Sequence, residues 1–183
     1  MPAKLTYIAL LRAINVGGRN VSMAELKKLF VKLGFGGVET YIASGNVIFE
    51  ASSGAPAALE SKIEAALHTA MGYEVATFLR TPAQLQAAAE AAVFADSERA
   101  AAGAYNVAFL KAPLSPAQSK ALQALTTDID RFATQGSEVY WLCRVKQSES
   151  KFSNAVFERK VGVVATFRGH STVSKMAAKY ATP

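Results

Sequence analysis

Two apolar runs of strand length, residues 5–11 and 105–110, each open the same succession of signals, and that repeated order restricts the fold more than any single motif. The first run is nearly continuous, as expected of a strand buried on both faces. A glycine-rich loop follows. Ser22 then reads as a helix N-cap, with Glu25 three residues on to complete a capping box and Met23, Leu26, Leu29, Phe30 and Leu33 at helical spacing as far as Gly34. Val38, Tyr41 and Ile42 mark a second strand and Val47, Ile48 and Phe49 a third, with Ser44-Gly45-Asn46 as the tight turn between them. After the Gly54/Pro56 break, Leu59, Ile63, Leu67 and Met71 recur every four residues along a second helix that Gly72 closes, and residues 75–79 read as a fourth strand. Thr81-Pro82 starts an alanine-rich helix, and residues 95–103 read as a connecting loop.

The order returns from Tyr105. Ser115-Pro116 caps a helix carrying Leu122 and Leu125, and residues 129–133 and 139–142 flank a Gln135-Gly136-Ser137 hairpin. Ser153 or Asn154 begins a helix with Val156, Phe157 and Val161 inward, stopped by Gly162. Residues 163–167 form the last strand, and Ser171 or Thr172 caps a terminal helix. Strand, helix, strand, strand, helix, strand is the ferredoxin-like pattern. The expectation is an α+β fold of two tandem ferredoxin-like βαββαβ units with an extra C-terminal helix, divided as residues 1–94 and 95–183. A chain of 183 residues has enough sequence for both cores.

Composition excludes several classes. With 51% hydrophobic and 19% charged residues the chain is an ordinary globular protein, not a disordered one. Uncharged stretches such as residues 100–110 fall short of the roughly 18 residues of a membrane-spanning helix. The apolar run after Lys4 stops at Arg12 without a small-residue cleavage site, so the expected location is the cytoplasm. Cys143 is the single cysteine, and His68 and His170 stand far apart, so neither a disulfide, a metal site nor a cofactor is expected.

The net charge of +6 is concentrated late: eight basic residues against Glu149 and Glu158 between Arg144 and Lys179, whereas the first 90 residues are close to neutral. Such a field suits nucleic acid, phosphorylated metabolites or acidic proteins, and it equally suits a soluble face with no partner.

In a βαββαβ unit the loop after the first strand and the hairpin between the second and third share one end of the sheet. Arg12, Asn15, Gly17, Gly18, Arg19 and Asn20 are therefore expected beside Ser44, Gly45 and Asn46, with the loop near Gly72 and Tyr73 joining them. Two glycines ahead of a helix start let backbone N–H groups approach an anion, and the arginines can grip phosphate or carboxylate. Turn geometry and Asx-turns explain the same residues equally well. The loop is neither a dinucleotide fingerprint nor a Walker loop. Arg168, Ser171 and Thr172, with Gly169 and His170, form a second candidate anion corner at the start of the last helix.

The motifs Leu10-Leu11-Arg12-Ala13-Ile14-Asn15-Val16-Gly17-Gly18 and Thr40-Tyr41-Ile42-Ala43-Ser44-Gly45-Asn46-Val47 resemble the bacterial family catalogued as domain of unknown function 1697. Ser153-Asn154-Ala155 and the Glu158-Arg159 helix extend the resemblance along the chain. It implies a tandem ferredoxin-like fold and no established activity. Two departures stand out: Ala13 replaces the family's usual glycine, and Gly169-His170 replaces an Asn-Trp pair.

The function expected from these residues is the binding of an anionic ligand, nucleic acid or a phosphorylated small molecule, at the corner and along the basic C-terminal segment. Lys151, Arg159, Lys160, Arg168 and Lys175 are its candidate phosphate contacts. The alternatives are an enzyme acting on a phosphorylated or carboxylate small molecule and a ligand-free scaffold, for which a homodimer is compatible. Ser44 sits in S-G-N rather than a nucleophile elbow, and neither histidine has an evident partner. Cys143 reads as a buried thiol amid Tyr140, Trp141 and Leu142. Glu39 and Glu50 end strands as potential bases, Glu39 at the sheet end away from the corner. The third strand lacks the stacking aromatics of an RNA-recognition platform.

Overall fold

Capping boxes and alternating burial build the same unit twice in the computed structural model, which describes residues 2–14, 20–42, 44–52 and 54–181. Unit 1 runs to Leu85 and takes in the last residues from Tyr180; unit 2 is Gln86–Lys179. Unit 1 comprises β1 (Lys4–Leu11), α1 (Met23–Lys32), β2 (Gly36–Thr40), β3 (Asn46–Ser52), α2 (Pro56–Met71) and β4 (Thr77–Arg80), followed by α3 (Pro82–Glu90), which leads across the division. Its sheet order is β2-β3-β1-β4, antiparallel throughout. Unit 2 continues with α4 (Asp96–Ala101), β5 (Ala104–Phe109), α5 (Pro116–Gln123), β6 (Asp130–Gln135), β7 (Glu138–Cys143), α6 (Asn154–Val161), β8 (Thr166–Gly169) and α7 (His170–Tyr180). Its order, β6-β7-β5-β8, reproduces that of unit 1. The chain is thus two tandem βαββαβ units with a terminal helix.

Strand alternation assigns the faces. Tyr7, Ala9, Leu11, Val47 and Phe49 pack with Leu26 and Phe30 of α1 and Ile63 and Leu67 of α2. In unit 2, Ala108, Val139 and Trp141 pack with Leu122 of α5 and Phe157 of α6. The alternate residues are buried as well: Ile8, Leu10, Ile48 and Phe78 in one sheet, Val107, Phe109, Tyr140 and Leu142 in the other. This is why the central strands read as unbroken apolar runs. On that face of unit 2 the Tyr140 hydroxyl donates to Ala88 O at 2.7 Å, and Phe94 meets Tyr105 edge-on.

Helix ends follow the sequence closely. Ser22 and Ser115 each accept from the backbone N–H three residues on, and Glu25 and Gln118 reach back to the cap N–H. Thr81 and Gln84 do the same for α3. Gly72 and Gly162 end α2 and α6 in left-handed geometry.

Several boundaries differ from the sequence reading. Residues 95–103 are not all loop, because the Glu98 carboxylate accepts from Ala95 N–H and nucleates α4. β2 begins at Gly36 and stops at Thr40, since Gly37 takes φ +55° in an irregular register opposite β3 and Ile42 takes φ +49°; Tyr41 and Ile42 lie beyond it. β4 and β8 start two and three residues later than expected, at Thr77 and Thr166, because pairing with β1 and β5 begins there. Pairing of Asn106 with Gly169 carries β8 directly into α7, so Ser171 and Thr172 lie inside the first helical turn rather than at its cap.

A buried carboxylate anchors unit 2. Asp130 accepts from Trp141 Nε1 at 2.8 Å, from Ser150 Oγ at 2.8 and 2.9 Å, and from Thr127 Oγ1 at 3.3 Å. It ties the chain after β7 back onto the β6–β7 ladder. Beside it, burial pushes the Cys143 thiol pKa up, so the thiol stays protonated.

Gly103 donates to Cys143 O at 2.8 Å where β5 begins, and a Cβ there would lie 2.2 Å from Val145 O and 2.3 Å from its carbonyl carbon. Backbone cannot yield as a side chain can. Gly103→Ala is expected to cost about 2–3 kcal/mol in urea denaturation. Gly54→Ala, whose Cβ would meet only Ser52 O at 3.9 Å, is expected to stay within about 0.5 kcal/mol of the parent.

Candidate functional site

Three loops of unit 1 meet at the end of β1. Leu11 N–H donates to Gly45 O at 2.8 Å, and Arg12 N–H donates to Ala76 O at 2.9 Å. The loop after β1, the β2–β3 hairpin and the segment before β4 are thereby joined at one edge of the sheet, as the topology requires. Gly45 has φ +80°, and a Cβ on it would sit 3.2 Å from the Cβ atoms of both Leu11 and Ile14. Only glycine lets the hairpin lie this close.

Asn46 closes that hairpin. It is fully buried, and its Nδ2 donates to Tyr41 O at 2.9 Å and to Ser44 Oγ at 2.8 Å, while Tyr41 N–H donates to Asn46 O. Its amide therefore shapes the turn from within. Ser44 and Arg12 are half-buried and Asn20 is exposed. Asn15, Gly17, Gly18 and Arg19 lie outside the described residues.

The same end concentrates backbone strain. Among the described residues, the non-glycine residues with positive φ are Ala13, at +57°, and Ile42, at +49°. One belongs to the loop after β1 and the other to the hairpin. Left-handed geometry costs an L-residue about 1–2 kcal/mol, and a β-branched residue adopts it rarely. Ala13 stands where the family resemblance places glycine, which accounts for the family's choice.

The N-terminus of α1 already holds an anion of its own. The Glu25 carboxylate accepts from Ser22 N–H and Ser22 Oγ, each at 3.0 Å, and these bonds, the backbone one foremost, hold its pKa below the usual carboxylate range. Beside this cap a recess of about 340 Å³ is lined by Asn20, Val21, Glu25, Leu29, Ala70, Met71 and Tyr73.

The second expected corner is not assembled in that form. Arg168 lies within β8, not after it, and is 7% exposed; its Nη1 donates to Thr166 Oγ1 at 2.7 Å and to Phe167 O at 2.9 Å. Burial lowers its pKa to about 10, so it remains charged at neutral pH. Ser171 is exposed and Thr172 half-buried. His170 has partners that its sequence context did not indicate: it stacks on Tyr105 at 4.5 Å, and its Nε2 lies 2.8 Å from Ala89 O.

The other basic residues of the late segment are exposed; Lys175 and Lys179 lie on α7, and the remaining ones are divided. Arg144, Lys146 and Lys151 follow β7, at the end of unit 2 where Cys143 pairs with Ala104. Arg159 and Lys160 sit in the last turn of α6, which carries the chain back to the other end, where Thr166 pairs with Phe109. A six-residue strand separates the two groups by roughly 20 Å.

Glu39 requires a correction. Because β2 starts at Gly36, Glu39 is exposed one residue before the strand's hairpin end, toward the corner, whereas Glu50 pairs with Gly36 at the far end. Among the described residues no group of three or more His, Cys, Asp or Glu side chains is arranged to hold a metal ion.

These features define a tandem βαββαβ protein whose first unit carries a strained, three-loop corner. The family described as "Protein of unknown function (DUF1697)" matches residues 5–140, and the chain belongs to that family. Its fold is similar to that of the conserved bacterial protein SP0830 from Streptococcus pneumoniae, with a TM-score of 0.72, 23% sequence identity, and coverage of 98% of this chain and 100% of that one. No curated protein matches the chain.

If Ala13 is strained as its φ indicates, Ala13→Gly relieves it. The substitution is expected to stabilise the protein by about 1 kcal/mol in chemical denaturation, whereas a glycine at an ordinary loop position costs stability.

Proposed function

We propose that the β1–α1 end of unit 1 binds a small anionic ligand, a phosphorylated or carboxylated metabolite. The observation that carries this reading is the pairing of left-handed Ala13 and Ile42 in two loops locked together by the Leu11–Gly45 hydrogen bond. Local strain of about 1–3 kcal/mol per residue persists where the surroundings over-determine it, and it gathers at ligand sites. Arg12 is the side chain on this end suited to bidentate contact with phosphate or carboxylate. Ser44 supplies a half-buried hydroxyl and Asn20 an exposed amide, and Asn15, Gly17, Gly18 and Arg19 belong to the same loop by sequence. The recess of about 340 Å³ beside the α1 cap shares Asn20 with this set and is of metabolite size; the Glu25 carboxylate in its lining directs the anionic group toward Arg12 instead.

Nucleic acid is the less supported ligand class. The faces of both sheets opposite α1 and α2, and opposite α5 and α6, are buried as well, so neither offers an open stacking platform. Arg144, Lys146 and Lys151 lie at one end of unit 2 and Arg159 and Lys160 at the other, and Arg168 is committed to its own strand. A cytoplasmic location, where phosphorylated metabolites abound, belongs to the proposal; among the described residues no helix is long and apolar enough to cross a membrane.

Calorimetric titration with inorganic phosphate, a panel of nucleotides and small carboxylates tests the site. The expected result is saturable binding that Arg12→Ala weakens at least tenfold, about 1.4 kcal/mol, with an unchanged urea midpoint. Absence of saturable binding across the panel contradicts the reading, and a large fall in the midpoint makes Arg12 a structural residue. Oligonucleotide binding with a salt slope reduced by Lys160→Ala points instead to phosphate-backbone contact through unit 2.

A further inference from the structure

Beyond the corner, unit 1 carries a groove between α1 and α2. It has a volume of about 570 Å³, with Leu29 and Leu33 of α1 and Ala66 of α2 as half-buried apolar residues along it. The α2 wall is made of small, uncharged residues: Ala65, Thr69 and Ala70 are exposed beside Ala66. Small side chains allow another backbone to approach closely.

The groove's lining is net positive, with Lys28 and Lys32 against Glu25, whose carboxylate also feels the Lys28 charge. Lys28 and Lys32 stand one turn apart on the α1 side, both exposed. Like charges at this spacing repel and weaken a helix by a few tenths of a kcal/mol. Glu25 is the acidic residue of the lining, and its carboxylate is held by Ser22 in the helix cap. Lys32 has no acidic residue three or four positions away on its own helix.

We propose that this groove docks a short acidic amphipathic helix from a partner protein. Apolar residues of that helix at i, i+3 or i+4, and i+7 lie along Leu29, Leu33 and the alanine wall, while aspartate or glutamate on its flank meets Lys28 and Lys32. The α1 residues from Glu25 to Leu33 span about 12 Å, which matches roughly two turns of the incoming helix. Apolar burial supplies the affinity, and the lysines select the charge and orientation. The groove shares Glu25, Leu29 and Ala70 with the recess beside the α1 cap, but Arg12 is not in its lining and the docking does not require it.

The test is selection from a displayed library of 12-residue helix-forming peptides against the full chain, followed by fluorescence anisotropy on synthetic copies of the selected sequences. Selected binders are expected to combine apolar residues at helical spacing with flanking Asp or Glu. Lys28→Glu/Lys32→Glu is expected to weaken them at least tenfold and to favour copies in which Lys replaces the acidic residues. Arg12→Ala leaves them unchanged. Circular dichroism of the double variant checks that its helices are intact, and Thr69→Trp, an exposed substitution that fills the groove, weakens the same peptides without altering charge. The proposal is overturned by a selection that yields no binders, by binders without acidic bias, or by binders indifferent to both variants. Preferential binding of a fatty acid, competing with every peptide regardless of charge, also overturns it.

Discussion

The hydrogen bond from Leu11 N–H to Gly45 O is the point on which the arrangement of unit 1 turns. β1 is the central strand, paired with β3 on one side and β4 on the other, and this bond carries its order past the ladder into the hairpin. The contact exists because Gly45 has no side chain, and Asn46 shapes the turn that presents its carbonyl. Unit 2 repeats the device: Leu110 N–H donates to Ser137 O at 2.9 Å across a hairpin closed by left-handed Gly136. The same end of the fold is built twice, but the connection to the following helix is longer in unit 1. In sequence, Arg12 to Val21 separate β1 from the α1 cap at Ser22, whereas Leu110 to Leu114 separate β5 from the α5 cap at Ser115.

The repeat also appears in residues: Val75-Ala76-Thr77-Phe78 recurs as Val164-Ala165-Thr166-Phe167, with a buried arginine following each. Arg80 pairs with Ile8 and Arg168 with Val107, each on a strand beside the central one. Both are 7% exposed, and both donate from Nη1 to the carbonyl of the preceding residue, Leu79 and Phe167. Behind the same strands, α2 and α6 turn carboxylates toward backbone N–H groups: Glu60 and Glu64 accept from Leu79 and Thr77, and Glu158 accepts from Ala165. An edge strand whose donors are covered in this way is protected from pairing with another chain.

Much of this architecture was legible in the residues. Glycine stops, Ser-x-x-Glu and Ser-x-x-Gln boxes and apolar periodicity are local signals, and α1, α2, α5 and α6 follow them closely. Less legible was whatever depends on pairing across distance. The register of β8 against β5 draws Arg168 into the sheet, and a reading limited to its neighbours placed it at a helix start. The irregular β2–β3 register moves Glu39 to the corner end for the same reason. α4 escaped notice because its start depends on a Glu98 side chain reaching back to Ala95, with no capping hydroxyl to announce it. At the corner, sequence brought the right loops together, but it left Asn46 open between ligand and turn. Its complete burial and its bonds to Tyr41 and Ser44 are properties of the folded hairpin alone.

The central claim is that this corner is held in place by the end of β1 before any ligand arrives. Native-state hydrogen exchange of the Leu11 amide tests it directly. Protection equal to that of the Ile8 amide, in the middle of the β1 ladder, is the predicted result, with the hairpin and strand opening as one unit. Exchange of Leu11 at the rate of a solvent-exposed loop, while Ile8 stays protected, would contradict the claim.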